Sequence, residues 1–302
     1  MGTAEFALPS LSIILEHAHQ IVAVVTTPDK PKGRGLIMQH SPVKDFALNR
    51  QLPLFQPQLL NDTDFVSRLH DLKPDLIVVV AFKILPKEIF LMPRFGSINL
   101  HASLLPKYRG AAPINWAIIN GEKNTGVTTF FLKEKVDEGN VILQAKVNIG
   151  ENETARELYD KLADVGSETL LHTINLIEKG KAKSSPQDES RATKAPKIFR
   201  QDCKIDWTKS AAEVHNFIRG LSPNPGAFSY FRGKLLKVLR ASRLIMHHKN
   251  FPGEILVKGG SFFVYTTDGL IEILELQKEG KQKMLALDFL NGTRIVSGEK
   301  FS

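Results

Sequence analysis

The sequence has very little cysteine and no long hydrophobic run. A single cysteine among 302 residues excludes internal disulfide bonds and any metal or iron–sulfur centre built from several thiolates. The longest uncharged apolar stretch, residues 77–82, is too short to cross a membrane. The first residues lack the basic flank and apolar segment of a signal peptide. These absences predict a protein of the reducing cytoplasm without a membrane partner.

Motifs for common cofactors are also missing. The chain contains no Gly-x-Gly-x-x-Gly and no Walker A sequence, so nothing indicates a bound nucleotide cofactor. It contains no His-x-x-x-His or Cys-x-x-Cys pair, and we expect no metal site. Cys203 has no histidine near it in the sequence to activate it, so we interpret it as a small packing residue.

Positive charge is concentrated in the last third of the chain. The formal net charge is +8, with 40 Lys and Arg against 32 Asp and Glu. Residues 191–302 hold 19 of the cations and only 10 of the acids, whereas residues 1–190 are nearly neutral. A domain this basic is typical of proteins that bind a large polyanion, although a solvated basic surface kept for solubility has the same composition.

The first 180 residues alternate β-rich runs with amphipathic helical runs, which is typical of an α/β domain with a mostly parallel sheet. The predicted strands are residues 21–25, 76–80, 96–100, 127–131 and 141–147. The predicted helices are residues 6–17, 43–49, 64–72, 113–120 and 154–179. The run 76–80 has no polar alternation, so we expect this strand to be covered on both faces.

A second domain is predicted after a polar connection. Residues 183–203 are charged and without periodicity, which is typical of a linker. The domain then begins with a helix over residues 211–219 that Gly220 closes. Its predicted strands are residues 227–231, 235–241, 253–257, 262–266, 270–276 and 283–287. Short strands separated by turn residues predict a small antiparallel β-barrel, and the predicted domains are therefore 1–182 and 204–302.

The start of the chain lacks an expected strand. Residues 1–3 resemble the tight turn that follows a first strand, yet no strand precedes them. Either the sheet has an unfilled position or the native start lies upstream. We expect the second, with Met1 as an internal methionine.

Asn99 and His101 are the strongest candidates for chemistry. They lie two residues apart at the end of an apolar run, so they project from the same face of a strand. Open α/β sheets bind ligands at the carboxyl ends of their strands. Asp137, in an acidic turn between two apolar runs, would supply a carboxylate partner for the imidazole. Spacing alone leaves open whether these groups are catalytic or are satisfied core residues.

A basic loop covers residues 28–36. It combines two prolines, two glycines and three cations, which is the composition of a solvated surface loop. Gly33 and Gly35 would alternatively allow the backbone near Arg34 to approach a phosphate closely.

Several of these motifs together resemble the 10-formyltetrahydrofolate-dependent formyltransferases. The resemblance rests on His-Ala-Ser-Leu-Leu-Pro at 101–106, Arg-Gly-Ala-Ala-Pro at 109–113 and Asp-Glu-Gly at 137–139. The opening residues 2–6, the basic loop and Ser-Pro-Val-Lys at 41–44 look like the branch of this superfamily that formylates methionine on tRNA. Ile-Asp-Trp at 205–207 and the run 218–226 extend the resemblance over essentially the whole chain.

The resemblance implies a Rossmann-like formyltransferase domain followed by a barrel resembling an oligonucleotide-binding (OB-like) fold. It implies 10-formyltetrahydrofolate as the formyl donor and initiator methionyl-tRNA as the partner and acceptor, and we expect a monomer. The implied catalytic residues are Asn99, His101 and Asp137. The implied folate-binding residues are Ser103, Leu104, Leu105 and Pro106, and the implied tRNA-binding residues are Arg34 and Lys32.

The sequence departs from the family pattern after the strand predicted at 76–80. Relatives usually carry a glycine in this turn, whereas here Ala81-Phe82 runs directly into Lys83. The backbone of this turn normally lines the pterin pocket, so Phe82 and Lys83 are not assigned as folate contacts.

Two other functions are compatible with parts of the sequence. A formyltransferase acting on a small amine, such as an amino-sugar nucleotide, would use the same catalytic residues but would not need the basic C-terminal domain. The other alternative is a folate-binding or RNA-binding protein that has lost catalysis, and the presence of all three polar residues argues against it.

Overall fold

The computed structural model describes residues 1–17, 19–32 and 37–302. These residues form two units. Unit 1 comprises Met1–Gly110, Gly126–Val147 and Tyr159–Lys194, and unit 2 comprises Ala111–Thr125, Asn148–Leu158 and Ala195–Ser302. The units divide the chain differently from the predicted domain boundaries, which stay a prediction.

Regular structure follows the predicted alternation closely. From the amino end to residue 178 the elements are α1 (Leu8–Glu16), β1 (Val24–Val25), β2 (Lys30–Lys32), β3 (Ile37–Gln39), α2 (Pro42–Asn49), β4 (Leu54–Phe55), α3 (Thr63–Asp71), β5 (Ile77–Val80), α4 (Lys87–Phe90), β6 (Ser97–His101), β7 (Arg109–Gly110), α5 (Pro113–Ile119), β8 (Asn124–Phe131), β9 (Val141–Asn148) and α6 (Ala155–Glu178). The remaining elements are β10 (Lys194–Ala195), α7 (Ala211–Leu221), β11 (Ala227–Phe231), β12 (Lys234–Ile245), β13 (Ile255–Lys258), β14 (Ser261–Tyr265), β15 (Gly269–Lys278), β16 (Lys283–Leu285) and α8 (Ala286–Asn291). None of the helices described is both long enough and apolar enough to span a bilayer.

Unit 1 contains parallel strand pairs, as predicted, together with antiparallel ones such as the hairpin of β2 and β3. β1 pairs with β4 and β5 pairs with β6 in parallel. β8, in contrast, runs antiparallel to β6. A parallel return needs a crossover element on the sheet, and α5, which lies between β6 and β8 in the chain, packs instead against α7 within unit 2.

Met1 and Gly2 lie where the first strand was expected. The amide of Gly2 donates to the carbonyl of Val25 at 3.0 Å, and the amide of Val80 donates to the carbonyl of Met1 at 3.0 Å. Gly2 also forms a parallel bridge with Val80. These two residues therefore connect β1 with β5. The expectation of an upstream start stays a prediction.

The apolar core of unit 1 lies against β5. Ile77 and Val79 of this strand pack in one cluster with Phe65 and Leu69 of α3 and with Ile89. Three of the four residues of β5 are buried, which confirms that no face of this strand is solvated. Each large apolar side chain removed from water contributes about 1.5–3 kcal/mol, so this cluster stabilises the position of β5, to which β6 is hydrogen-bonded.

The sheet of unit 2 is antiparallel, as predicted. Its strand order is β11-β12-β15-β14-β13, with β16 added at β15. The end of the chain contacts both outer regions, because Phe301 bridges Phe231 of β11 and Lys300 bridges Glu254 next to β13. This arrangement is consistent with a barrel-like domain.

Two element boundaries in unit 2 were predicted wrongly. Gly220 lies inside α7 and does not close the helix at 219. A Cβ at this position would lie 2.7 Å from Cγ1 of Ile119 and 3.2 Å from the carbonyl oxygen of Asn115, so the glycine permits close packing of α7 on α5. The strand predicted to reach 287 ends at Leu285, since Ala286 and Phe289 are buried on one face of α8.

The predicted linker is attached to unit 1 along much of its length. Ser185 forms an antiparallel bridge with Val141. Thr193 accepts the amide of Tyr108 on its hydroxyl at 2.8 Å, and its own amide donates to the carbonyl of Pro106 at 3.3 Å. The polar residues that resemble a solvated linker in the sequence are therefore used for hydrogen bonds to the protein surface.

Candidate active site

Asn99 and His101 lie on β6, between β5 and β8. In the register of the sheet Asn99 is opposite Val79 on one side and Phe130 on the other, and His101 is opposite Thr128. The neighbouring Ile98 and Leu100 are buried. Since alternate residues of a strand face opposite sides, the apolar pair fixes the strand from one side and presents the amide and the imidazole on the other.

Both ring nitrogens of His101 face hydrogen-bond acceptors. Nε2 lies 2.9 Å from the carbonyl oxygen of Tyr108, and Nδ1 lies 3.7 Å from Oδ2 of Asp137. The imidazole and the carboxylate are both buried. A neutral ring carries one N–H and would turn a lone pair toward the other acceptor, whereas an imidazolium donates toward both. The ring of His101 is therefore held between the carbonyl of Tyr108 and the carboxylate of Asp137.

Asp137 is held in an unusual backbone conformation. Its φ is 58°, in the left-handed region that few residues other than glycine adopt. Its carboxylate accepts a hydrogen bond from the amide of Gly110 at 2.9 Å. A Cβ at Gly139 would lie 1.6 Å from the carbonyl oxygen of Phe131, so only glycine fits where the turn passes β8. The turn thus delivers one carboxylate to the imidazole.

The amide of Asn99 has an unpaired oxygen. Oδ1 is buried and has no hydrogen-bond partner among the described residues. An unsatisfied buried acceptor costs about 1–3 kcal/mol, so native proteins keep few of them outside functional sites. The N–H group of an amine nucleophile is a donor that this oxygen would accept.

The turn after β6 is held by β8 and β9. The hydroxyl of Thr128 accepts the amide of Leu105 at 3.1 Å and donates to the carbonyl of Ser103 at 2.6 Å. Gln144 donates to the carbonyl of Leu105 at 2.8 Å. Ser103 and Leu105 are buried and hold the turn, whereas Leu104 and Pro106 are half-buried. Folate contact by these four residues stays a prediction.

An arginine-centred network beside Asp137 was not predicted from the sequence. Arg109 donates to Gln187 and Glu189 and lies 3.6 Å from Glu138. Hydrogen bonds with Glu189 raise the pKa of the Arg109 guanidinium, and the same contact lowers the pKa of Glu189. Gln187 and Glu189 belong to the predicted linker, residues 183–203. The sequence of this segment has no periodicity from which buried residues could be predicted. Nothing in the sequence distinguishes Gln187 from its neighbours.

A cavity of about 730 Å³ lies next to this network. Phe90, Leu132 and Pro186 supply apolar surface to it, and Lys133, Glu138 and Gln187 are among its polar lining residues. The cavity lies beside the Asp137 turn, and the three predicted catalytic side chains are not part of its lining.

The turn with the missing glycine also adopts a left-handed conformation. Ala81 follows β5 directly and has a φ of 50°. The departure from the family pattern therefore leaves a methyl side chain where the backbone favours glycine. Phe82 is half-buried and packs against the core cluster of unit 1.

The predicted tRNA contacts are only partly described. Arg34 lies outside the described residues, and Lys32 ends strand β2, which pairs with β3. In unit 2 many lysines are exposed, namely Lys204, Lys209, Lys234, Lys249, Lys258, Lys281, Lys283 and Lys300. The charge asymmetry of the sequence is therefore carried on accessible side chains.

Cys203 shows no sign of reactivity. It is buried in the core of unit 2, and its thiol donates to the carbonyl of Phe199 at 3.2 Å. Burial raises the pKa of this thiol, which opposes formation of the nucleophilic thiolate.

Comparison with known families assigns most of the chain. Residues 3–174 match a family model described as "Formyl transferase", and residues 197–294 match one described as "Formyl transferase, C-terminal domain". These matches confirm the resemblance that the motifs indicated.

Similar full-length proteins are also known. A relative from Alkaliphilus oremlandii called methionyl-tRNA formyltransferase is 46% identical over 300 residues, which cover 99% of this chain and 97% of the relative. One of the same name from Bacteroides fragilis is 43% identical over 310 residues, covering 99% and 96%. The structure is similar to an N-formyltransferase from Helicobacter canadensis in complex with folinic acid and dTDP-3-aminofucose, with a TM-score of 0.69 and coverage of 92% and 97%. At 23% identity that likeness shows the fold alone.

Proposed function

The chain belongs to the formyl transferase family, and from this premise we propose that it transfers a formyl group from 10-formyltetrahydrofolate to the α-amino group of methionine on initiator methionyl-tRNA. The single observation that carries the chemistry is the buried pair of His101 and Asp137, 3.7 Å apart, next to the amide of Asn99 on β6. The names of the full-length relatives support the acceptor.

The nucleophile needs little activation in this reaction. An α-amine titrates at about pKa 7.7–8.0 in model peptides, so a useful fraction is neutral near pH 7. The oxygen of Asn99 that has no partner in the described structure would accept one N–H of this amine and orient its lone pair toward the formyl carbon.

Charge develops on the formyl oxygen as the amine attacks. The amide nitrogen of Asn99 would donate a hydrogen bond to this oxygen, and His101 would donate a second one through Nε2 in place of its present contact with the carbonyl of Tyr108. Such donors are the usual way to stabilise acyl transfer. Removing one such donor typically costs about 10²–10³-fold in rate. The paired carboxylate of Asp137 would align His101 and would assist transfer of the proton from the amine to the leaving nitrogen.

The formyl donor is a substrate that is consumed in each cycle. We assign its contacts to Ser103, Leu104, Leu105 and Pro106, of which Leu104 and Pro106 retain exposed surface. Phosphates of the tRNA would contact Arg34, Lys32 and the exposed lysines of unit 2, a barrel for which we propose OB-like topology. Such binding weakens steeply with salt, because phosphate contacts release counterions.

A formyl-transfer assay with defined acceptors tests this function. The enzyme is supplied with 10-formyltetrahydrofolate and either initiator methionyl-tRNA, uncharged initiator tRNA or an amino-sugar nucleotide. We expect product with methionyl-tRNA alone. Transfer to the amino sugar with no transfer to methionyl-tRNA would overturn the acceptor, and consumption of folate with no acceptor product would overturn the transferase assignment.

A further inference from the structure

Gln187 differs from the rest of the polar segment around it. From residue 183 to residue 190 it is the one residue that is half-buried, while its neighbours are exposed. Its side-chain amide nitrogen donates to the carbonyl of Asp137 at 2.7 Å and to the carbonyl of Gly139 at 2.8 Å. Both bonds cross about fifty positions of sequence and close the turn that carries the Asp137 carboxylate.

The other end of the same side chain is also satisfied. Its amide oxygen accepts from Nε of Arg109 at 3.1 Å and from Nη2 of Arg109 at 2.7 Å. A guanidinium only donates and carbonyl oxygens only accept, so this is the one orientation of the Gln187 amide that pairs all its atoms. Arg109 is in turn anchored by Glu189 through two bonds of 2.8 and 2.7 Å.

The turn at Asp137 needs external support. The residue has a left-handed φ of 58°, which an aspartate adopts at some cost. The carboxylate has one further bond, from the amide of Gly110, which itself follows Arg109 in β7. Arg109, Gly110 and Gln187 therefore hold the turn from both its backbone and its side chain.

We propose that Gln187 is a positioning residue for Asp137, which holds the carboxylate against His101 through the two carbonyl hydrogen bonds and its contact with Arg109. This inference rests on the proposed catalytic role of Asp137. Gln187 acts through the turn and does not contact the reacting atoms. The proposal therefore gives a positioning role to a residue of a segment whose composition is that of a linker. A displacement of about 1 Å in a catalytic group costs about 10²-fold in rate.

Substitution Gln187→Glu provides the test. The carboxylate keeps the size of the side chain and its pairing with Arg109, but turns an oxygen toward two carbonyl oxygens. We expect kcat for formyl transfer to fall about 10- to 100-fold, with KM for folate and for the acceptor within about threefold of wild type. Gln187→Ala, which removes the donors without adding charge, is the second variant should Gln187→Glu fold poorly. Ser190→Ala removes an exposed hydroxyl that donates to Asp188 at 2.6 Å. This variant is the matched control and should keep kcat within about twofold.

A second readout separates this inference from the proposed function. Amide hydrogen exchange at residues 137–140 should speed up at least about tenfold in Gln187→Glu, while exchange in β5 and β6 stays the same. This measurement needs no substrate, so it decides the role of Gln187 even when wild type fails to formylate methionyl-tRNA. If the wild type is active and both Gln187 variants keep its kcat, or keep its exchange rates at residues 137–140, the inference about Gln187 is overturned while the proposed function stands. A loss of kcat accompanied by faster exchange throughout unit 1 would also overturn it, since that indicates general destabilisation.

Discussion

His101 and Asp137 are brought to 3.7 Å from each other by two different parts of the sheet of unit 1. The imidazole stands at the end of β6, and the carboxylate stands on the turn between β8 and β9. The close approach depends on the sheet, since β6 and β8 are hydrogen-bonded neighbours.

Replacing Asp137 with Asn should remove the charge opposite His101 while keeping an acceptor for the amide of Gly110. We expect kcat to fall by about 10²–10⁴-fold, the usual contribution of a group that aids proton transfer. The thermal midpoint and tRNA affinity should stay close to wild type. Steady-state kinetics with Asp188→Asn, an exposed carboxylate of the same unit, provides the control, and near-normal turnover of Asp137→Asn would refute the assignment.

Truncating Asn99 to Ala should remove one donor to the developing oxyanion. We expect kcat to fall by at least about 10²-fold, with small changes in KM for either substrate. Stability should not decrease greatly, because Oδ1 of Asn99 has no partner among the described residues. Single-turnover rates measure the effect, and Asn250→Ala, an exposed amide in unit 2, controls for general damage.

Arg34→Ala should weaken recognition of tRNA and leave folate binding unchanged. Loss of a charge-assisted hydrogen bond of about 1.5–3 kcal/mol lowers kcat/KM for methionyl-tRNA about 10- to 100-fold. The plot of log affinity against log salt should lose about one unit of slope. Arg50→Ala, at an exposed position of unit 1, should have neither effect. An unchanged kcat/KM in Arg34→Ala would dismiss the loop from tRNA binding.

His215 should make unit 2 less stable in acid. It is buried on α7, and its Nε2 donates to the carbonyl of Ala241 at 3.1 Å. Burial, with help from the nearby Arg219 and Arg243, lowers the pKa of His215 to about 4 from the model-compound value of 6.5. Between pH 6.5 and pH 4 the imidazole of His215 is therefore protonated in the unfolded chain and neutral in the folded chain. The free energy of unfolding is at its full value above pH 6.5 and decreases as the pH falls toward 4.

The loss should amount to about 2 kcal/mol between pH 7 and pH 5. Urea unfolding at the two pH values measures it, since few carboxylates change charge in this range. His215→Gln, which keeps a donor but does not titrate, should reduce the difference, whereas His247→Gln, at an exposed position of the same unit, should retain it. Equal pH dependence in all three proteins would contradict the prediction.

Ala81→Gly should stabilise the turn after β5. A left-handed conformation destabilises the folded protein by about 1–2 kcal/mol when the residue is alanine. Glycine avoids this cost but loses more conformational entropy on folding, which costs about 0.5–1 kcal/mol. We expect a net gain of up to about 1.5 kcal/mol in the free energy of unfolding. Ala163→Gly, in the interior of α6, should instead lose about 1 kcal/mol or more, so the opposite signs identify the backbone conformation as the cause. A loss of stability in Ala81→Gly would show that the left-handed φ of Ala81 does not destabilise the folded protein.

Secondary structure was predictable wherever local chemistry decides it. Ser41 caps α2 at Lys44, and β5 is an uninterrupted apolar run, so both elements lie where the pattern indicates. The helix end predicted at residue 219 was wrong, because a glycine near a helix end can either terminate the helix or permit a close contact with another element. Only the packing of α7 on α5 distinguishes the two.

The sequence by itself determined the family, the chemical groups of the site and the position of the basic charge, because motifs, residue types and net charge are properties of the chain order. Tertiary structure alone decided the antiparallel direction of β8, the place of Met1 and Gly2 between β1 and β5, and the contact of Gln187 with Asp137. These depend on hydrogen bonds between residues far apart in the chain, whose partners are chosen by the folded geometry and leave no periodic signal in the sequence.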